Sequence, residues 1–184
     1  RRVDETVLIE QMIEGEDLRL LVIDYRLVAA AIRRRPEVVG DGRLSVRRLI
    51  ERQSRRRAAA TGGESTIPID AETSRTLGLV GLGLDDVIEE GRVVTVRGTA
   101  NLHTGGTIHD VTDEVHPGLV AAAIRVARAI EMPVVGVDFM VRSPHEPDYA
   151  FIEANERPGL ANHEPQPTAQ RFVDLLFPTL RRDR

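Results

Sequence analysis

The sequence predicts an α+β fold built on a largely antiparallel sheet with flanking helices. Three observations carry that prediction. Residues 6–32 hold three apolar runs separated by short polar tips. Two more apolar runs, 134–141 and 149–155, are joined by a short turn containing two prolines. Between these groups a proline opens a stretch of helical periodicity.

Taken in order, Thr6-Val7-Leu8-Ile9 reads as a first strand, Leu18 to Ile23 as a second and Leu27 to Ile32 as a third. The tip Asp24-Tyr25-Arg26 makes the second and third a hairpin, and so makes the sheet antiparallel. Ser45 is placed to cap a helix through Val46, Leu49 and Ile50, with the following arginines mostly on its solvated face. Residues 61–90 are glycine-rich with one or two helical turns, and Arg92 to Arg97 alternates as a strand. A loop from Gly98 to Pro117 follows. Pro117 then opens an amphipathic helix carrying Leu119, Ile124, Val126, Ala127 and Ile130 at helical spacing. Val134–Val141 and Tyr149–Asn155 pair across the turn 143–148, and a last helix runs over about 167–177. No internal repeat is visible, which leaves one domain with two lobes of strands.

Composition narrows the function. The chain has 184 residues, 41% hydrophobic and 29% charged, enough for one globular domain with its own core. With no cysteine, any metal must be held by oxygen or histidine, which favours a hard cation such as magnesium. No stretch reads as a signal peptide or a membrane span, so the expectation is a cytoplasmic protein with no membrane partner. Net charge is −4, and all 25 basic residues are arginine. The runs Arg33-Arg34-Arg35 and Arg55-Arg56-Arg57 suggest nucleic acid, but aromatics are only 3% and acids are interleaved, so no nucleic-acid partner is expected.

The residues with most chemistry stand at the strand pair near the C-terminus. Asp138 interrupts an apolar strand, and Glu153 and Asn155 lie two apart at the end of its partner, on one face by strict alternation. Two readings stand for this set. In one, two carboxylates and an amide oxygen make a hard-oxygen cage for a magnesium ion. In the other, Asp138 ends a strand and Glu153-Ala154-Asn155 begins a turn before Pro158-Gly159. A second segment, Val7 to Ile13 followed by Glu14-Gly15-Glu16-Asp17, offers an apolar strand, a linker whose backbone could meet an adenine edge, and an acid for ribose hydroxyls. A polar turn between two strands is the more common use of such a stretch. His103, His109, His116 and His163 fit no compact metal site by spacing and read as hydrogen-bonding elements.

Read together, three strings resemble the ATP-grasp superfamily, in the branch of cyanophycin synthetase and bifunctional glutathione synthetase. They are Ala100-Asn101-Leu102-His103-Thr104-Gly105-Gly106-Thr107, Asp110-Val111-Thr112-Asp113-Glu114-Val115-His116-Pro117, and Glu153-Ala154-Asn155-Glu156-Arg157-Pro158-Gly159. The resemblance covers nearly the whole chain and implies the C-terminal portion of an ATP-grasp domain over 1–184. It implies that Glu10, Gln11 and Ile13 form the adenine hinge, that Asp17 holds the ribose, and that Arg19 serves from the second hinge strand. It further implies that Asp138, Glu153 and Asn155 bind Mg2+, with Arg34 facing phosphate or the acyl intermediate. Asn101, Thr104, Gly105, Gly106 and Thr107 would line the substrate site, where backbone amides suit an anion, with His163 shaping the pocket. The string Asn155 to Glu164 also resembles the ligase half of an acetyltransferase–ligase fusion that makes the osmolyte dipeptide N-acetylglutaminylglutamine amide.

Two departures accompany the resemblance. Relatives hold phosphates with lysines upstream of the hinge, and this chain has no lysine; the expectation is that the lysine-bearing part lies outside the chain and that the chain alone is inactive. Some ligases also place an arginine just before the metal-binding aspartate, where Val137 stands here, so Arg34 or Arg97 is expected to supply that charge. The implied activity is an ATP-dependent carboxylate–amine ligase, forming a peptide bond through an acyl phosphate, with ATP and Mg2+ as cofactors. Amino-acid or peptide carboxylates and amines are the implied substrates, and a fused acetyltransferase domain and a homo-oligomer the implied assemblies. A catalytically silent module that binds nucleotide or a partner is the alternative, and an arginine-rich RNA module would show binding that falls steeply with salt.

Overall fold

In a computed structural model of the chain, residues 9, 11–160, 163 and 165–180 are described. The predicted strand 6–9 and the hinge residue Glu10 lie outside them, apart from Ile9. The elements in order are β1 (Glu16–Ile23), β2 (Arg26–Arg34), β3 (Glu37–Val39), α1 (Val46–Ala60), α2 (Ala71–Leu79), β4 (Val93–Thr95), β5 (Thr107–Asp110), α3 (Pro117–Ala129), β6 (Val134–Val141), β7 (Tyr149–Asn155) and α4 (Thr168–Leu176). Strands β5-β2-β1-β6-β7 form one sheet, antiparallel at every pairing, and β3-β4 form a second.

The predicted hairpin forms on a tighter turn than its polar tip suggests. Asp24 and Tyr25 take positive φ, 54° and 55°, as a two-residue turn that follows the strand twist requires. Arg26 already pairs with Ile23. The register then slips between Leu21 and Val22: Val22 faces Leu27, but Leu21 faces Ala29, leaving Val28 as an extra residue. A second bulge lies in β7, where Asp138 faces Glu153 but Phe139 faces Phe151, with Ile152 the extra residue. Each bulge decides which side chains reach the site.

Alternation gives the large sheet two faces. Leu18, Leu20, Val22, Ala30, Ile32, Val135, Val137 and Phe139 pack on one, under Leu119, Ala122, Ala123 and Ala127 of α3. Pro117 stands in the first turn of α3 and His116 Nδ1 accepts from Gly118 N, which fixes the start of that helix. On the other face Leu21, Ile23 and Ala29 lie under Phe172 and Leu175 of α4. The rest of that face carries the polar groups described below. The small sheet, α1 and α2 enclose a separate core of Val38, Val46, Leu49, Ile50, Leu77 and Val94.

Three local expectations are corrected. Ser45 stands at the N-cap of α1, yet its side chain caps nothing. The first amides of that helix, Val46 N and Arg47 N, donate instead to the carbonyls of Asp86 and Leu84. The strand expected over 92–97 is only Val93–Thr95, because Val96 N turns to the Pro36 carbonyl and Arg97 is drawn to α2. The loop expected over 98–117 contains β5, which pairs with β2 from Arg34–Thr107 to Ala31–Asp110.

Candidate functional site

A cleft of about 860 Å³ opens between the two lobes. Its large-sheet wall includes Ile13, Asp17, Arg19, Arg33, Arg34 and His163, and its small-lobe wall includes Arg35, Glu37, Thr95 and Asn101. Its size suits a ligand of drug or nucleotide scale.

The polar face of the large sheet carries a continuous charge network at this cleft. Arg19 of β1 lies opposite Asp138 of β6 in register. It donates from Nε to Asp138 Oδ1 at 2.7 Å and from Nη2 to Oδ2 at 2.6 Å, a two-pronged fit that only guanidinium geometry gives. The bond to Asp138 raises the Arg19 pKa above its ordinary value. Arg33 of β2 extends the network: its Nη2 donates to Asp17 Oδ1 at 2.7 Å and to Asp138 Oδ2 at 3.0 Å. Asp138 is only 2% exposed, so these partners replace the water its charge would otherwise need.

Asp138, Glu153 and Asn155 come together as expected. Asp138 and Glu153 are cross-strand partners on one face. Asn155 Nδ2 reaches Glu153 Oε1 at 3.0 Å and Asp138 Oδ2 at 3.4 Å. The bulge at Ile152 makes this arrangement. Strict alternation would put Phe151 beside Glu153, whereas the extra residue turns Phe151 to the ring of Phe139, at 6.4 Å between centroids, and leaves Glu153 and Asn155 facing Asp138. Glu153 is exposed, and a half-turn of the Asn155 amide would present its oxygen beside it. Two carboxylates and an amide oxygen are the donor set a hard divalent cation takes. Among the described residues no three His, Asp or Glu side chains are placed to hold a metal ion by themselves, so Asn155 would be needed to complete the set.

The other expected residues divide. Ile13 lines the cleft; Gln11 is exposed and does not. Asp17 lines it but already holds Arg33. Arg34 lines it, and its exposed side chain has no hydrogen bond or ion pair among the described residues, as a group free to meet an anion must be. Arg97 does not line it. Its guanidinium, 5% exposed, donates to Asp70 Oδ1 at 2.9 Å, to Thr73 Oγ1 at 3.1 Å and to Glu72, which in turn accepts Gly98 N at 3.1 Å. That charge is spent tying the loop after β4 to the start of α2, so Arg97 is placed as a structural clamp and not beside reacting groups.

The glycine loop also differs from expectation. Asn101 lines the cleft, while Thr104, Gly105, Gly106 and Thr107 do not. Their amides are not turned to an anion: Thr104 N and Gly106 N donate to the Asn101 carbonyl, and Gly105 N to that of Leu102. The glycines answer to space. Gly105 has φ 94°, and a Cβ there would lie 2.3 Å from Ile67 Cγ1; at Gly106 it would lie 2.8 Å from the Asn101 carbonyl oxygen. His163 is 6% exposed, with Nδ1 buried and without a hydrogen-bond partner among the described residues. Burial first, and Arg19 second, push its pKa below the ordinary 6.5.

Sequence reasoning passed over Arg33, which joins Asp17 to Asp138. Opposite charges on facing hairpin strands are its signal, but a two-residue turn without the bulge pairs Asp17 with Ile32, and only the extra Val28 brings Arg33 opposite.

No family model matches the chain. It is 34% identical to cyanophycin synthetase of Nostoc sp. over 97% of its own length and 21% of that protein's. It is 30% identical to the glutathione biosynthesis bifunctional protein GshAB of Streptococcus mutans, over 87% of this chain and 22% of the relative. A crystal structure of a bifunctional glutathione synthetase from Pasteurella multocida superposes with a TM-score of 0.70 at 25% identity, covering 90% of this chain and 24% of the other. The chain thus spans about a fifth of the length of the curated relatives it matches.

Proposed function

We propose that this chain, which is similar to cyanophycin synthetase and bifunctional glutathione synthetase, belongs to the ATP-grasp superfamily and forms the nucleotide- and metal-binding part of an ATP-dependent carboxylate–amine ligase. The observation that carries the reading is the meeting of Asp138, Glu153 and Asn155, which do not themselves line the interlobe cleft of about 860 Å³ but join it through Arg19 and Arg33, the partners of Asp138 that do. Amino-acid or peptide carboxylates and amines are the proposed substrates, in the cytoplasm; a fused acetyltransferase and a homo-oligomer are the assemblies it accommodates. No helix among the described residues is long and apolar enough to cross a membrane.

The reaction asks a carboxylate oxygen to attack the γ-phosphorus of ATP, releasing ADP, and an amine nitrogen to attack the resulting acyl phosphate, releasing phosphate. Mg2+, when bound, would neutralise charge on the phosphates during transfer, held by Asp138, Glu153 and Asn155. Ile13 and Met12, which line the cleft where Gln11 does not, would bound the adenine, and Asp17 would accept from the ribose. Arg34, whose side chain has no partner among the described residues, would face the transferred phosphoryl group or the oxyanion formed when the amine attacks. Arg19 lies close enough to Asp138 to hold that carboxylate in orientation. His163, which lines the cleft, would shape the substrate pocket. Asn101, at the small-lobe wall, would contact substrate across the cleft.

The test is transfer of label in the intact protein. With the carboxylates of candidate amino acids enriched in ¹⁸O, an acyl phosphate route moves one labelled oxygen into inorganic phosphate, found by mass spectrometry. ATP binding without any turnover is the outcome a silent nucleotide-binding module would give. Turnover with unlabelled phosphate would rule out carboxylate activation.

A further inference from the structure

The network that lines the cleft holds Asp138 in a state unsuited to a lone cation. Both of its oxygens already accept from Arg19, and Oδ2 accepts from Arg33 as well. Counting Asp17, Asp138 and Glu153 against Arg19 and Arg33 leaves a formal charge of −1, little attraction for a divalent ion stripped of water. Arg19 is in register with Asp138 and makes a two-pronged contact fixed by the sheet. Arg33 differs. A single Nη2 is shared between Asp17 Oδ1 and Asp138 Oδ2, and Nε also turns to Asp17. Its guanidinium is about a quarter exposed and lines the cleft, so an arriving anion can draw it away from Asp138 without unpacking the core.

We propose that Arg33 is a counter-ion latch: it occupies Oδ2 of Asp138, the oxygen that Asn155 also approaches, until a ligand's phosphates claim the guanidinium, so the cation enters with the nucleotide and not before it. The idea rests on the metal reading of Asp138, Glu153 and Asn155. Arg33 is a positioning residue in this account, acting on the cation only through Asp138. The coupling is reciprocal, since whatever releases Arg33 from Asp138 raises affinity for the cation, and the cation in turn favours the ligand that holds Arg33.

The experiment measures Mn2+ binding to the 184-residue chain by electron paramagnetic resonance, with no nucleotide present. Arg33→Met is expected to bind Mn2+ at least about tenfold more tightly than the wild type, because a full positive charge leaves hydrogen-bond distance of the ligand carboxylate. Arg26→Met, the same charge change at the far end of β2, is expected to stay within about twofold. Adding Asp138→Asn to Arg33→Met should erase the gain. Circular dichroism melting confirms that each variant is folded, and Arg33→Gln replaces Arg33→Met if the latter fails to fold. Equal affinities in the wild type and Arg33→Met, both abolished by Asp138→Asn, would overturn the latch while leaving the metal site standing. A gain that survives Asp138→Asn, or no Mn2+ binding by any variant, would overturn the metal assignment and the latch with it.

Discussion

Replacing Gly105 by alanine separates a steric role of the glycine loop from a ligand-binding one. Gly105 sits at φ 94°, left-handed territory that costs an L-residue about 1–2 kcal/mol. Its new Cβ would lie 2.3 Å from Ile67 Cγ1, and Ile67 is 4% exposed within the small-lobe core, so it has little room to retreat. Overpacking of this kind costs about 1–3 kcal/mol. Together the loss is about 3 kcal/mol, which for a chain of this length lowers the melting temperature by roughly 6–12 °C. The assay is a double-mutant cycle by urea unfolding. Ile67→Ala alone should cost about 2–5 kcal/mol, and the double variant should cost at least about 1 kcal/mol less than the sum, because the clash exists only when both side chains are present. The backbone N–H of residue 105 survives in all variants and donates to Leu102. A folded Gly105→Ala of unchanged stability, with weakened substrate binding in the intact protein, would refute the steric account and restore the anion-loop reading.

Two further outcomes follow from the same geometry. Arg97→Met should lower stability by about 2 kcal/mol, through lost hydrogen bonds to Thr73, Glu72 and the Pro68 carbonyl, and leave the Michaelis constant for ATP of the intact protein unchanged; a stable variant with impaired turnover would return Arg97 to the chemistry. For His163, burial places the folded pKa below the ordinary 6.5, so the unfolded chain binds the proton first as pH falls. Its contribution to stability is therefore fully present above about pH 6.5 and lost as pH falls below it, and His109, shifted the same way by burial, adds to the slope. His163→Gln should flatten the dependence of the unfolding free energy on pH between about 7 and 5; an unchanged slope would mean that His163 does not titrate differently on folding.

Much of this architecture was legible in the residues. The runs at 18–23, 27–32, 134–141 and 149–155 became central or edge strands of one antiparallel sheet, and Pro117 marked the first turn of α3. Runs of this kind read well because one face of each must be apolar to meet a helix. Less legible were the two single-residue bulges. Alternation carries no sign of an extra residue, yet Val28 sets Arg33 instead of Ile32 opposite Asp17, and Ile152 sends Phe151 and Glu153 to opposite faces. The glycines at 105 and 106 misled for a related reason. Glycine marks a place where a side chain cannot stand, and only the packing against Ile67 and Asn101 tells whether protein or ligand stands there. Arg97 was expected to supply charge at the site because its partners, Asp70 and Glu72 at the start of α2, lie more than twenty residues earlier in the sequence.

The central claim is that Asp138, Glu153 and Asn155 hold the cation of a phosphoryl transfer, and Glu153 tests it most directly. A carboxylate that holds the cation acts on charge that builds during transfer, whereas an acid at the ribose, the role proposed for Asp17, would bind ground and transition states alike. The measurement is steady-state kinetics of Glu153→Gln beside Asp17→Asn in the intact protein, with folding checked by circular dichroism. Glu153 is exposed, so the substitution should change stability by less than about 1 kcal/mol. The account predicts a turnover number lower by at least about a hundredfold for Glu153→Gln, and mainly a raised Michaelis constant for ATP for Asp17→Asn. Near-normal turnover by a well-folded Glu153→Gln protein would contradict it.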